Sequence, residues 1–588
     1  MSAKRKVVDV SMQHFGGIGN GVQSLTGSCH NLIIEYDTGE KTSIIIDVGA
    51  FQGLGQYLNQ SLLFEVDSID AVIVTHGHID HCGRLPMLLK QTSVEDDEIL
   101  PFHGKIFASE LTAKVAHIAL LDSAKIFTND FKIKDKRYKK LTGDLKIARR
   151  TATCHEATGV KRDSGGNRNE SHNHRPEKRH YDDARKLLDT HGVMNNADIY
   201  ANIEKPEPPL FEVDDVEAVM KDVAIVSYSE KKKVVWQEIC PEVSFSIWNA
   251  GHVAGSSSVL IRVTTEKAKV KYYFFSGDLG PYRTPIHPFG FAEVPDFPLD
   301  MVVMETTYGD KVRQEFEVGY QKFEASVIKA STTRERLIIP CFALDRAQQV
   351  LSLLVKMQQG GKFEGEIFLD SPLATEYTKL YHEHGSSESG MDLLKPGPTT
   401  YSVLDSLTRE EALSAKGFKV VVTSSGMATG GPIMTYLAEY LGGKPNGHPE
   451  DLPDTTFVFM GYMAEGTLGR DLTDEYNPKK IVSIMVPNKA DKSKMELKKI
   501  IVKARVKRFN FISGHMDQTD LWGWYKKLRL LPTARVVLVH GEIDSSTQEF
   551  KNFLRRRSYD AIPHKGVVIP EADKILTPDV NDLYSVFS

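Results

Sequence analysis

Apolar residues follow two periods along this chain. In the N-terminal part they form β-branched runs. Asn31-Leu-Ile-Ile-Glu-Tyr36 and Thr42-Ser-Ile-Ile-Ile-Asp-Val48 flank Asp37-Thr-Gly-Glu40, which predicts two strands joined by a hairpin turn. Ala71-Val-Ile-Val-Thr75 predicts another buried strand, and Gly83-Arg-Leu-Pro-Met-Leu-Leu-Lys90 the start of a helix. Strand patterns resume at Val243-Ser-Phe-Ser-Ile-Trp248 and Val270-Lys-Tyr-Tyr-Phe-Phe275. From about residue 310 to about 490 strand and helix patterns alternate, as in Arg336-Leu-Ile-Ile-Pro340, then Arg346-Ala-Gln-Gln-Val-Leu-Ser-Leu-Leu354, then Glu366-Ile-Phe-Leu-Asp370. Such alternation predicts a parallel α/β domain. The last hundred or so residues return to strand, helix and strand, ending near Arg535-Val-Val-Leu-Val-His540. There is no internal repeat.

With 588 residues the chain is too long for one core, so two domains are expected. Residues 131–186 interrupt the pattern: 17 Lys/Arg stand against 8 Asp/Glu, a local charge of +9. Within them Arg162–Pro176 is nearly devoid of apolar residues and predicts a flexible loop inside an insertion. That insertion is either a contact for a nucleic-acid backbone or a solvated excursion. Apolar content of 41% and charged content of 26% fit an ordinary water-soluble protein. Neither a signal-peptide pattern nor an apolar run of membrane-spanning length occurs, so no membrane partner is expected. Five scattered cysteines without a CxxC pair argue against a disulfide framework and for a reducing, cytoplasmic setting. The net charge of −5 means that any affinity for nucleic acid must come from local patches.

The densest chemistry is His76-Gly-His78-Ile-Asp80-His81, directly after the strand pattern that ends at Thr75. Imidazole favours zinc and a carboxylate serves as ligand or bridge, so the motif suits a pair of divalent ions on a strand-to-helix turn. Gly77 adds no side-chain bulk to that turn. Two ions need more ligands, and three further polar residues stand where apolar runs stop. They are His252 in Asn249-Ala-Gly-His252, Asp278 in Phe274-Phe-Ser-Gly-Asp278, and His540 in Val537-Leu-Val-His540. A lone histidine is more often structural than a ligand; the constellation is what carries weight.

These residues resemble the metallo-β-lactamase superfamily, whose strand ends carry this ligand order. Further motifs are similar to its β-CASP branch of RNA and DNA nucleases: Met304-Glu305-Thr-Thr-Tyr-Gly-Asp310, Ile339-Pro-Cys-Phe-Ala-Leu-Asp-Arg-Ala-Gln348, Leu369-Asp-Ser-Pro-Leu-Ala374, Ser424-Ser-Gly-Met-Ala-Thr-Gly-Gly431 and Phe511-Ile-Ser-Gly-His515-Met-Asp517. The nearest likeness is to the RNA-cleaving members, which include the 73-kDa cleavage and polyadenylation specificity factor subunit and its compact bacterial and archaeal relatives. The likeness spans residues 10–95 and 240–545.

The resemblance implies an α/β fold, a metallo-β-lactamase αββα sandwich with an inserted β-CASP cap. Residues 1–309 would form the first part of the sandwich, with the basic insertion at about 131–186. Residues 310–490 would form the cap, and 491–588 the C-terminal part of the sandwich. It implies two zinc ions, one held by His76, His78 and His252, the other by Asp80, His81 and His540, with Asp278 bridging. The same donors accept manganese or iron. Asp47 would order the metal turn without ligating, Glu305 would support the site, and His515 would assist the leaving group, so that Asp80, Glu305 and His515 count as catalytic. The expected reaction is endonucleolytic hydrolysis of single-stranded RNA by a metal-activated water. From the residues themselves, Ser425, Gly426, Thr429 and Gly430 precede a predicted helix and form a candidate cradle for an RNA phosphate; an ordinary αβ turn fits them too. A DNA nuclease, a small-molecule metallo-hydrolase and a noncatalytic RNA-binding scaffold stay open as alternatives. So do a homodimer and membership of an RNA-processing complex.

Overall fold

The computed structural model describes residues 5–19, 24–89, 102–159, 178–191, 205–265, 269–283, 287, 289–385, 391–405, 407–410, 417–443, 454–464, 466–474, 478–487, 495–557 and 566–570. The Arg162–Pro176 stretch, expected to be a loop, lies outside them.

The β-branched runs pair as a first sheet: β1 (Val7–Gly19), β2 (Ser24–Tyr36), β3 (Lys41–Ile46), β4 (Ala71–Ile73), β5 (Lys105–Ala108) and β6 (Val223–Ile225), in that order. The β2–β3 hairpin turns at residues 37–40, where Gly39 has φ 81°. After β4 the chain makes a single helical turn, α1 (Ile79–Cys82), and then a 3-10 turn at Leu85–Leu89. The helix expected to start at Gly83 therefore starts inside the histidine motif. Pro86, which cannot donate a backbone hydrogen bond, sits in the tighter turn that follows.

The second sheet begins with β7 (Gln237–Cys240), β8 (Val243–Asn249), β9 (Ser257–Thr264), β10 (Val270–Phe275) and β11 (Pro298–Glu305). Its alternate residues face the first sheet. Val259, Ile261, Tyr273, Phe275, Met301 and Val303 share one buried cluster with Ile44, Ile46, Ala71, Ile73 and Phe107. The residues between them, including Leu260, Phe274, Val302 and Met304, face the other way into a second cluster. Burial on both faces is why these strands read as unbroken apolar runs.

The chain then builds a third sheet from β12 (Arg336–Pro340), β13 (Glu366–Asp370), β14 (Ser402–Val403), β15 (Lys419–Thr423) and β16 (Thr455–Met460), with a separate hairpin of β17 (Ile481–Pro487) and β18 (Met495–Ile501), and finally β19 (Arg505–Phe509). The order is β14-β13-β15-β12-β16-β19 and every pairing is parallel. β19 thus pairs with β16 although it lies beyond residue 490, and the expected boundary at 490 falls between the two strands of the hairpin. Adjacency in a sheet is a long-range property that local patterns do not reveal.

β20 (Arg529–Val539) and β21 (Val567–Val568) return to the second sheet, whose order is β21-β20-β11-β10-β9-β8-β7. Leu521, Trp524 and Tyr525 on one helix and Phe550 and Leu554 on another cover its outer face, completing the αββα layering.

Residues 121–216 form a separate compact unit. It includes most of a fifty-residue helix, α2 (Glu110–Gly159), and α3 (Lys178–Thr190). Leu145, Ala148, Ala152, Ala184 and Leu188 make its small core. Within the insertion the described residues are therefore largely helical, a feature the charge-rich sequence did not announce. Among the described residues no helix is long and apolar enough to cross a membrane.

Candidate metal centre

β8, β10, β11 and β20 end on one edge of the second sheet, and β3 and β4 end beside it. The C-terminal edges of such strands are common ligand-binding positions in α/β folds. Every candidate ligand follows one of these strands. His76, His78 and His252 gather with Asp278, and Asp80, His81 and His540 form an adjoining group. Asp278 faces both groups: Oδ2 lies 3.5 Å from His76 Nε2 and 3.4 Å from His81 Nε2, while Oδ1 lies 3.6 Å from His540 Nδ1.

Hydrogen bonds behind the rings fix which nitrogen points inward. The Thr75 hydroxyl donates to Asp47 Oδ2 and so accepts from His76 Nδ1 at 3.1 Å. His81 Nδ1 donates to Asp47 Oδ2 at 2.6 Å, and His252 Nδ1 to the Gly514 carbonyl at 2.7 Å. The Thr307 hydroxyl donates to the His540 carbonyl and accepts from His540 Nδ1 at 3.1 Å. Each of these four rings therefore turns Nε2 toward the centre, the nitrogen that a bound ion would take. His78 presents Nδ1 instead, 3.0 Å from His76 Nε2 and 3.2 Å from His252 Nε2.

Lone pairs facing one another at such distances repel unless a cation lies between them. In a tetrahedral zinc site with Zn–N near 2.0–2.1 Å, neighbouring nitrogens stand about 3.3 Å apart. The separations here match that edge. Asp278 Oδ1 is buried without a hydrogen-bond partner, a cost that an ion would relieve. The donor set of imidazole and carboxylate thus fits a pair of divalent ions.

A third grouping, Asp278 with Glu305 and His515, overlaps these two. Glu305 is less suited to ligation. Its Oε1 accepts from the Leu279 amide at 2.8 Å and its Oε2 from the Thr307 amide at 3.0 Å. His515 Nδ1 lies 3.2 Å from Glu305 Oε1, which aims the other ring nitrogen, Nε2, toward Asp278 Oδ2, 3.9 Å away. The His515 loop is held from behind: Arg313 donates to the His515 carbonyl, and the Arg313 amide donates to Asp517, which Arg283 also contacts.

Asp47 is buried at the end of β3 with φ 64°, a left-handed backbone that aspartate tolerates better than most residues. It also accepts the Thr75 amide at 2.7 Å. One carboxylate thereby ties the turn to both groups.

The metal-free histidines divide by surroundings. Burial, helped by neighbouring histidines, pushes His76 and His252 well below the usual histidine range, and burial brings His78 down to about 4. Burial also opposes charge on His81 and His540, but acids prevail there. Asp278 and Asp47 lift His81 well up; Asp278 and Asp80 bring His540 up to about 9. Asp278 is held well below the carboxylate range because His540, His81 and His515 outweigh the burial that would raise it.

Ser425, Gly426, Thr429 and Gly430 offer no imidazole or carboxylate for these groups. They follow β15, before a helix at Ile433–Tyr440. The loop uses part of its own polarity internally: Ser425 Oγ accepts from the Thr429 amide, and the Ser425 amide donates to the Gly430 carbonyl. Gly426 packs so close to Phe342 that a side chain would collide with the Phe342 amide.

Sequence patterns did not single out Thr75, Thr307, Arg313 or the Gly514 carbonyl. Thr75 precedes His76 and Thr307 lies two residues after Glu305, which is the one local signal they offered.

Three family models match the chain: the metallo-beta-lactamase superfamily at residues 26–111, the Beta-Casp domain at 347–472, and the Zn-dependent metallo-hydrolase RNA specificity domain at 499–562. A Thermus thermophilus protein named as a ribonuclease is 25% identical over 88% of this chain and 91% of its own length. Transcription termination factor FttA of Pyrococcus horikoshii is 26% identical over 82% of this chain and 59% of its own. The Drosophila melanogaster protein named cleavage and polyadenylation specificity factor 73 is 24% identical over 88% of this chain and 58% of its own. The chain thus spans less than two thirds of these last two relatives. The ligand-bearing strand ends and the three matched models agree: the chain carries metallo-β-lactamase, Beta-Casp and RNA specificity domains, the set of the β-CASP branch it resembles.

Proposed function

We propose that this protein is a zinc-dependent ribonuclease that hydrolyses internal phosphodiester bonds of single-stranded RNA. The observation that carries this is the convergence of five histidine nitrogens on one carboxylate, Asp278, with His515 directed at that carboxylate from a third side. The RNA specificity match and the ribonuclease name of the Thermus relative support RNA as the polymer.

His76, His78 and His252 would hold one ion and Asp80, His81 and His540 the other, with Asp278 shared. Bound there, the ions would supply Lewis acidity to activate water and to neutralise phosphoryl oxygens. The chain's own residues do the rest. Asp47, Thr75, Thr307 and the Gly514 carbonyl hold the rings in register, so little reorganisation accompanies reaction. His515, oriented through Nδ1 by Glu305, offers Nε2 to protonate the departing oxygen. The loop at Ser425–Gly430 would hold a backbone phosphate through its remaining amides. Residues 310–490 would act as the cap, extended by β19. A reducing cytoplasmic setting suits buried free thiols such as Cys29, Cys82 and Cys341.

The test is cleavage of end-labelled single-stranded RNA and of its DNA counterpart by zinc-loaded protein. Internal cuts in RNA, lost in Asp278→Ala and reduced about 10²- to 10⁴-fold in His515→Ala, are the expected result. Cleavage of neither polymer by folded, metal-replete protein would overturn the proposal.

A further inference from the structure

A basic groove lies beside β19, the edge strand of the third sheet. Residues 478–508 carry 11 Lys/Arg against 2 Asp/Glu, a charge of +9 in a chain whose net charge is −5. The structure gathers part of that charge around a groove of about 410 Å³ between the end of the helix Leu468–Thr473, the strand β19 and the base of the β17–β18 hairpin. Its floor is apolar, from Leu472, Val502 and Val506. Its rim holds Lys479, Lys480, Lys507 and Arg508 against one acid, Asp474.

These cations are not consumed by structural ion pairs. Lys479 makes an exposed pair with Asp471, of a kind worth little in water. Lys480 is exposed. Lys507 is half-buried and donates to a neutral hydroxyl, Ser326 Oγ, at 2.8 Å. Its burial, and then Lys329 and Arg505 nearby, push it below the usual lysine range against Glu335.

The groove is also connected to the centre. Arg508 Nε donates to the Gly461 carbonyl. The next residue, Tyr462, packs on Tyr308 at 6.4 Å, and Tyr308 packs edge-on against His515 at 5.8 Å. Lys311 lies over both tyrosine rings. Arg508 stands seven chain steps before His515, a reach of at most about 25 Å. Aromatic rings interleaved with cations are what a single strand uses: bases stack and phosphates pair.

We infer that the groove rimmed by Lys479, Lys480, Lys507 and Arg508 is a second RNA site, which binds the backbone of a single strand that runs from the metal centre past Tyr308 and Tyr462. This rests on the RNA phosphodiesterase reading of the centre. The site gives affinity for long substrates and leaves the chemistry of the centre untouched.

The test compares wild-type holoenzyme with a Lys479→Ala, Lys480→Ala double variant, both substitutions being on exposed side chains. A small phosphodiester, bis(p-nitrophenyl) phosphate, reads the centre alone; a single-stranded RNA of about thirty nucleotides reads centre and groove together. Loss of two phosphate contacts should raise KM for the long RNA about tenfold near physiological salt and lower the log–log salt slope by about 1.4. Turnover of the small phosphodiester should not change. An unchanged KM and slope in a variant that still cleaves the small substrate overturns the groove as an RNA site and directs it to an acidic protein surface. Wild type that cleaves the small phosphodiester but no RNA overturns the nuclease reading itself, an outcome distinct from the first.

Discussion

The two halves of the centre use the same side chain in opposite electrostatic settings. His76, His78 and His252 meet mostly one another and Asp278, and burial leaves them neutral in the metal-free protein. His81 and His540 share Asp278 with acids of their own, Asp47 and Asp80, and are driven toward the charged form. One half is thus preset to accept a cation, and in the other a cation must displace protons. Ligand identity alone does not reveal this; the acids behind the ligands do.

The most drastic way to break the contrast is to remove what both halves share. Asp278→Asn should deprive both of their common carboxylate, with loss of both metal equivalents on dialysis and a fall in phosphodiester hydrolysis of at least about 10³-fold. Metal content measured by elemental analysis would contradict this if two equivalents remained.

A selective change should separate the halves. Asp47→Asn keeps the size of the side chain but weakens the hold on His81 Nδ1. Affinity for one metal equivalent should fall about 10- to 100-fold while the other binds nearly as before. A titration showing two equally weakened sites would mean that Asp47 supports the whole turn and not one half.

The mildest test uses pH on metal-free protein. His81 and His540 have folded pKa values above the unfolded value of about 6.5, so the stability they contribute is present below that pH. It is lost as pH rises through about 9 for His540. The buried neutral histidines act the other way. His14 is pushed down to about 3 and His78 to about 4 by burial, so stability is lost as pH falls below about 6.5, where the unfolded chain takes up protons first. Melting temperature after chelation should therefore peak near neutrality. Metal loading should abolish the alkaline decline, since bound ligands no longer carry those protons; an equal decline with metal present would refute the assignment.

What the sequence disclosed follows the cost of burying polar groups. Three histidines and an aspartate directly after an apolar strand announce a site, because so many polar groups rarely share a buried turn without a partner. His252, Asp278 and His540 could be picked out because each ends an apolar run. The groups behind them could not. Thr75 and Thr307 are ordinary threonines until the fold places them under a ring, and the Gly514 carbonyl has no side chain to notice. The third sheet was legible as alternating strand and helix, yet β19 escaped because its partner β16 lies more than forty residues earlier. The long helix Glu110–Gly159 escaped because much of it is polar on most sides, which erases the apolar stripe.

The position of β20 in the second sheet has a consequence in time. It lies between β11 and β21, and it delivers His540. Asp278 leaves the ribosome about 260 residues sooner, which at about 5–20 residues per second is an interval of about 13–50 s. During that interval the nascent chain carries one complete ligand group and lacks His540 of the other. A nuclease that acts on RNA is made while attached to one, and this order of synthesis withholds its second metal position until the third sheet has already emerged.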